Sequence, residues 1–507
     1  MSNFTPSANQ QAFFDWIDTG TGSAVLEAVA GAGKTTTLVK GIERMRGTAC
    51  MVAYNSKIAK ELKGKIAHVP TAEAKTFHAA GYSTLRRAFK GAGFTNRDPD
   101  DKKVLRICED LIREQGRRDL EGLESAVAGI VSMAKQRGIG ALVPMAAPGV
   151  WEEMVDHFAL DDALPEGKED MVPQVIAMAK ICLKRSNEDL SVIDYDDMVY
   201  LPLQRNLRMW QYDWLLVDEA QDTNPTRRAM ARRMLKAGGR LVAVGDRHQA
   251  IYGFTGTDND SLDQIGDDFG CIRLPLTVTY RCPKAVVRVA NEWVHHIEAH
   301  ESAPEGSVEE YDVNEIMDRV RVGDAVLCRF NKYLVTMVFK FIRAGIPAKI
   351  EGRAIGNGLA KLAGRWKSIK TINALENKLE EYSLKQIEKA KAKDDERKIE
   401  EICDRHETMK VLIERAREQG HSTVGELQQM ILSLFEDDIG ESRPMVTLCS
   451  EHRSKGLEWD RVHILGLREL QPARCSRDWQ MDQEINLMYV AVTRAKSELF
   501  LVGGLSR

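Results

Sequence analysis

The sequence predicts an α/β protein built on two parallel sheets, each interrupted by a mainly helical insertion. Three observations carry this. Short apolar runs that end in chemistry-bearing turns alternate with helical patterns near both ends of the chain. A glycine-rich turn, Ala28-Val29-Ala30-Gly31-Ala32-Gly33-Lys34-Thr35, joins one such run to a helix start. Two charged helical stretches, 81–190 and 354–439, separate the blocks of strand pattern.

The 507 residues allow several domains, and a 43% hydrophobic share is ample for real cores. A net charge of −4 gives no global electrostatic argument for a nucleic-acid partner, so any such site is a local groove. Nine cysteines stand singly without a C-x-x-C pair, which argues against a zinc or iron–sulfur site and a disulfide framework and fits a reducing compartment. The start Met1-Ser2-Asn3-Phe4 lacks a charged and apolar leader, and no apolar run approaches 18 residues. A cytoplasmic location is expected.

The first helix opens near Thr5-Pro6-Ser7 and carries Phe13, Trp16 and Ile17 on one face. Gln10 at its start could read adenine, since its amide both donates and accepts; the plain alternative is a solvated helix residue. Ala24 to Ala28 reads as a buried strand. Gly31 and Gly33 let the following backbone curl and aim N–H groups at phosphate oxygens, and Ala32 lies between them. Lys34 can then reach the β- and γ-phosphates, and the Thr35 hydroxyl can ligate Mg²⁺. Ala28 stands where this pattern usually opens with Gly.

A second strand, Ala49 to Tyr54, is followed by Lys75-Thr76-Phe77-His78. Tyr54, Phe77 and His78 could stack on bases or touch phosphates, or simply pack. After the first helical stretch, the strand Asp213 to Val217 ends in Asp218-Glu219-Ala220-Gln221-Asp222. There Asp218 would hold Mg²⁺ and Glu219 would orient and deprotonate water. Arg240 to Val244 leads to Gly245-Asp246-Arg247-His248-Gln249, with Gln249 placed to sense a γ-phosphate and Tyr252 and Phe254 directly after it. In Thr279-Tyr280-Arg281 the ring could stack on adenine and the guanidinium could reach the γ-phosphate.

The second sheet pattern comprises Asp324 to Arg329, Ile346 to Ile350, Met445 to Cys449, Arg461 to Leu465 and Glu498 to Val502. Ile399, Ile402, His406, Met409 and Ile413 have coiled-coil spacing, and Thr423 with Glu426 forms a capping box. Ser450-Glu451-His452-Arg453-Ser454-Lys455-Gly456-Leu457-Glu458 follows one strand, and Tyr489 to Lys496 precedes the last.

With Ala30–Thr35, Thr76–His78, Val217–Asp222, Gly245–Phe254, Thr279–Arg281, Lys455–Glu458 and Tyr489–Ala495 in this order, the chain resembles the superfamily 1 DNA helicases of the UvrD/Rep type from about Phe4 to its end. The resemblance implies two RecA-like P-loop motor domains with ATP in the cleft between them, each carrying a helical insertion. It implies a first motor domain of 1–80 and 191–280 with insertion 81–190, and a second of 281–353 and 440–507 with insertion 354–439. Gln10, Thr36, Tyr280 and Glu458 would contact the nucleoside, and Lys34, Thr35 and Asp218 the phosphates and Mg²⁺. Glu219 would be the base, and Gln249, Arg281 and Arg494 would contact the γ-phosphate. Tyr54, Thr76, His78, Tyr252, Phe254 and His452 would line a path for single-stranded DNA.

The family implies a 3′ to 5′ motor acting as a monomer on single-stranded and tailed duplex DNA. Thr255 follows Phe254 where the family commonly has Arg, which removes one DNA contact, and Thr36 stands where some members have Arg against adenine. The second insertion is shorter than in the large bacterial repair members. A translocase that strips proteins without unwinding, a nucleotide-gated scaffold and an RNA substrate are the competing readings.

Overall fold

The computed structural model describes residues 4–90, 99–158, 160–164, 168–251, 260–392, 396–435, 444–475 and 478–505. The backbone packs as two units: residues 1–28 with 33–276, and residues 29–32 with 277–507.

The first unit holds a six-stranded sheet of β1 (Ala24–Ala28), β2 (Ala49–Ala53), β3 (Ala72–Thr76), β4 (Tyr212–Val217), β5 (Leu235–Gly245) and β6 (Ile272–Leu276). Its order is β3-β2-β4-β5-β1-β6, and every pairing is parallel. The central strands are apolar almost throughout, because crossover helices cover a parallel sheet. A parallel sheet also puts every strand's C-terminal end on one edge. The register pairs Glu27 with Gly245, Val52 with Val217 and Ala53 with Thr76. The turns after β1, β2, β3, β4 and β5 therefore gather on that edge, where open α/β sheets bind ligands.

Helices α1 (Ala8–Thr19) and α2 (Lys34–Ile42) flank β1. Ser7 and Gln10 form a reciprocal capping box at the start of α1. At the other end of α1, the Arg240 guanidinium donates to the carbonyls of Trp16, Ile17 and Gly22 and lies between the rings of Trp16 and Trp214, 4.1 and 4.2 Å from their centroids. Both ends of the helix that carries Gln10 are thus fixed.

Between β3 and β4 the described chain is helical, including α3 (Phe77–Ala88), α4 (Lys103–Glu114), α5 (Glu124–Arg137), α6 (Val172–Glu188) and α7 (Tyr195–Gln204). Its apolar core contains one buried ionic cluster. Lys103 reaches Asp197 at 2.6 Å, and Lys135 reaches Asp194 at 2.6 Å and Asp197 at 2.7 Å. Removing one cation would strand a buried charge at a cost of about 3–5 kcal/mol.

The second unit's sheet comprises β7 (Ser307–Asp312), β8 (Ala325–Cys328), β9 (Ala348–Glu351), β10 (Val446–Ser450), β11 (Trp459–Leu465) and β12 (Ala495–Gly503). Its order is β9-β10-β8-β11-β12-β7, again with every pairing parallel. These are the two RecA-like sheets of the expected α/β class. Between β9 and β10 lie α8 (Arg353–Ala363), α9 (Ile372–Ala392), α10 (Glu396–Glu418) and α11 (Val424–Leu434). The Thr423–Glu426 capping box forms as its spacing suggests, and Met409 and Ile413 of the coiled-coil pattern are fully buried.

Among the strands that escaped the apolar-run reading are β6, Ile272–Leu276, and β7, Ser307–Asp312. The strand read as starting at Arg240 starts at Leu235. Among the described residues no helix is long and apolar enough to cross a membrane.

Candidate nucleotide and nucleic-acid site

The nucleotide candidates begin at the turn between β1 and α2, where residues 29–32 pack with the second unit and Gly33 onward with the first. Gly31 and Gly33 have φ of +72° and +73°. Gly33 is the N-cap of α2 and supplies no side-chain hydrogen bond, so the first N–H groups of the helix point outward, as an anion site needs. A Cβ on Gly31 would come within 2.5 Å of Thr279 Oγ1 and 2.6 Å of Arg281 Cβ, which leaves room there for glycine alone. Ala32 is buried; Lys34 and Thr35 are half-buried, and Thr36 is exposed. Gln10 is not a solvated residue: it is buried, and its Nε2 donates to Thr37 Oγ1 at 2.9 Å. Thr37 in turn donates to the Gly33 carbonyl at 3.0 Å, tying α1 to the turn.

Asp218 and Glu219 follow β4 on the same edge. Burial, then the neighbouring Glu219 charge, pushes the Asp218 carboxyl up to about 7, against the pull of the Lys34 ammonium. A buried carboxylate and a hydroxyl, Asp218 and Thr35, are hard oxygen donors of the kind Mg²⁺ takes. Glu219 has φ 50° and ψ 46°, a left-handed conformation that costs a non-glycine residue about 1–2 kcal/mol. Such strain is typical of functional positions. Its N–H donates to Asp218 Oδ1 at 3.0 Å and its carboxylate accepts from Gln221 Nε2 at 2.6 Å. Gln249, buried after β5, donates to Asp246 Oδ2 at 2.7 Å.

Next to these carboxylates lie the candidates for DNA. One small cleft is lined by Tyr54, His78, Asp218, Glu219, Asp222 and Arg227. Tyr54 is exposed, with the Arg227 guanidinium 5.8 Å from its ring centroid. Burial, aided by Arg227, lowers the His78 pKa to about 4, so its ring is neutral near pH 7. Thr76 is already engaged, accepting from the Ala79 N–H as the N-cap of α3. Tyr252 and Phe254 lie outside the described residues.

Two residues of this edge were not singled out from the sequence for what they do here. Tyr195 is half exposed at the start of α7, with its ring 6.3 Å from His78 in edge-on contact. Thr37 is the link between Gln10 and the turn. An aromatic immediately after the helix-capping Asp194 was the available signal for Tyr195; Thr37 had none.

In the second unit Arg281, Glu458 and Arg494 sit at the opposite, N-terminal edge of the sheet, where β11 and β12 begin. Arg281 Nε donates to Glu458 Oε2 at 2.7 Å and its Nη1 to the Thr493 carbonyl at 3.3 Å. Arg494 is 1% exposed and donates to the carbonyls of Val490 and Leu457 and to Thr493 Oγ1. Tyr280 is 44% exposed, its ring 4.9 Å from His300. His452 lies instead at the C-terminal edge, after β10, beside the Arg329–Glu484 ion pair. The first unit thus gathers its candidates on one edge, whereas the second divides nucleotide and nucleic-acid candidates between two.

The UvrD/REP helicase N-terminal domain matches residues 9–270, and the UvrD-like helicase C-terminal domain matches residues 360–503. The chain is 23% identical to an ATP-dependent DNA helicase PcrA of Staphylococcus epidermidis, over 97% of this chain and 82% of the relative. A PcrA of Staphylococcus aureus is 22% identical over the same shares. The ATP-dependent DNA helicase Rep of Escherichia coli is 26% identical over 54% of this chain and 41% of its own length.

Proposed function

Because the chain belongs to the UvrD/REP helicase family of ATP-hydrolysing enzymes, we propose that it is a motor that moves 3′ to 5′ on single-stranded DNA and unwinds tailed duplexes. The observation that supports this best is the set on the first sheet's C-terminal edge. The charges of Lys34 and Glu219 both act on Asp218 there, and the cleft lined by Asp218 and Glu219 reaches Tyr54 and His78.

In this reading the α2 N-terminus and Lys34 hold the β- and γ-phosphates, and Thr35 and Asp218 hold Mg²⁺. Mg²⁺, when bound, neutralises charge on those phosphates. Glu219 takes the proton of the attacking water, and Gln249 contacts the γ-phosphate. Gln10, Thr36 and Tyr280 fix the adenine and Glu458 the ribose. Arg281 exchanges Glu458 for the γ-phosphate, and Arg494 joins it there. Tyr54, Thr76, His78, Tyr195, Tyr252, Phe254 and His452 carry the strand. We assign residues 1–80 and 191–280 to the first motor domain, 81–190 to its insertion, 281–353 and 440–507 to the second motor domain, and 354–439 to its insertion. The protein would act as a cytoplasmic monomer.

Strand displacement with ATP on duplexes bearing a 3′ or a 5′ tail tests this. Unwinding from the 3′ tail alone is expected. Unwinding from the 5′ tail alone overturns the polarity. Failure on both tails, with ATPase still stimulated by single strands, overturns unwinding and leaves a translocase.

A further inference from the structure

The two catalytic turns of the first sheet are joined by one side chain. Gln221 is 1% exposed. Its Nε2 donates to the Glu219 carboxylate at 2.6 Å, and its Oε1 accepts the backbone N–H of Asp246 at 3.2 Å. Only one orientation of the amide satisfies both contacts, so the residue cannot flip without losing both. Asp246 continues the chain: its Oδ2 holds Gln249 Nε2 at 2.7 Å, and its Oδ1 accepts the His248 N–H at 3.1 Å. Gly245 makes the crossing possible, because a Cβ there would lie 2.4 Å from Gln221 Oε1.

We propose that Gln221 is a positioning residue that holds Glu219 in its left-handed conformation and couples it to the Asp246–Gln249 turn. The requirement is specific. The bridge needs one donor and one acceptor at glutamine length; asparagine is too short, and glutamate would face Glu219 with a second carboxylate. Glu219 is strained, and a donor at 2.6 Å to its carboxylate fixes which way it points. A displacement of Gln249 by a phosphate would pass through Asp246 and Gln221 to the base. The link makes turnover depend on the turn that senses the phosphate, without touching nucleotide binding. This inference rests on the assignment of Glu219 as the base.

Steady-state ATPase with and without a single-stranded oligonucleotide, binding of a fluorescent ATP analogue and thermal unfolding would be measured on the full chain. Gln221→Leu should lower kcat by about 10- to 100-fold, with KM for ATP and analogue binding within threefold of the parent. Gln221→Glu keeps the acceptor for Asp246 and loses the donor for Glu219, and should lose kcat equally. Gly245→Ala displaces Gln221 without touching Glu219; combined with Gln221→Leu it should cost no more than Gln221→Leu alone. Full kcat in Gln221→Glu would mean that the residue only anchors the turn, and would overturn the proposal. So would Gln221→Leu with kcat within threefold of the parent, or a KM that rises as kcat falls. Should Gln221→Leu fail to fold, Gln221→Glu decides, since it retains one of the two bonds. Glu219→Gln separates the two levels: if it turns over normally the base assignment fails, whereas an inactive Glu219→Gln beside an active Gln221→Leu overturns the positioning role alone.

Discussion

Asp218 and Glu451 are two buried acids that stand directly after strands, β4 and β10, on the C-terminal edges of the two sheets. Burial pushes both carboxyls up, to about 7 and about 8. What surrounds them differs. Asp218 lies beside a second carboxylate, Glu219, within reach of the Lys34 charge and next to an open cleft. Glu451 is closed in: Gln471 Nε2 donates to its Oε1 at 2.5 Å, and the nearby Arg329 is already held bidentately by Glu484. The same desolvation cost is met in two ways. In the first unit the acid is left for a ligand to neutralise; in the second, a proton and an amide neutralise it internally. A raised carboxyl pKa marks a functional site only when its neighbours leave the charge unresolved.

The largest expected effect comes from removing the unresolved charge. Asp218→Asn should lower ATPase kcat by about 10²–10⁴-fold, since it would delete the proposed ligand for Mg²⁺ at the reacting phosphates. In the absence of nucleotide the same variant should melt no lower than the parent, because a buried charge is gone. An active Asp218→Asn would break the contrast with Glu451 outright.

A smaller effect is expected at the pair Arg281–Glu458. Its members are 19% and 44% exposed, so the ion pair itself contributes under about 1 kcal/mol to stability. Glu458→Gln should therefore leave the melting temperature nearly unchanged. It should raise KM for ATP about three- to tenfold through loss of a charge-assisted hydrogen bond to the ribose. A lower KM would instead show that Glu458 acts chiefly as a latch on Arg281, since freeing the guanidinium would then favour ATP.

Most of both sheets was legible in the sequence because central parallel strands must be apolar on both faces, as Ala49–Ala53 and Ala325–Cys328 are. The missed strands β6 and β7 are edges of their sheets. An edge strand needs only part of its surface buried, and Ile-Arg-Leu-Pro-Leu and Ser-Val-Glu-Glu-Tyr-Asp look like loops. The site divides in the same way. Lys34, Asp218 and Gln249 follow strands within turns of fixed local geometry, so their patterns stand in the sequence. The partners that orient them do not. Gln10 meets Thr37 across 27 residues and Arg281 meets Glu458 across 177. Only the fold creates those pairs.

The smallest effect tests the closed half of the comparison. The Glu451 pKa in the folded protein, about 8, lies above the ordinary carboxyl value of 4.5, with burial the main cause and the Glu484 charge adding to it. Arg329 and Gln471 oppose the shift and do not overcome it. Folding therefore takes up a proton at this side chain between those two pH values. The stability it contributes is complete below pH 4.5 and is lost as pH rises through 8. The ionised acid leaves a charge on Glu451 with its Oε2 buried and without a donor, and a proton on the acid removes that charge. Glu451→Gln carries its own donor and titrates nowhere. Its melting temperature should match the parent near pH 5 and exceed it by about 2–6 °C at pH 8, the margin growing steadily between. Thermal unfolding of both proteins from pH 5 to 9 measures this directly. A margin that stays flat with pH would mean that Glu451 is ionised in the folded state, and that Arg329 neutralises it in place of a proton.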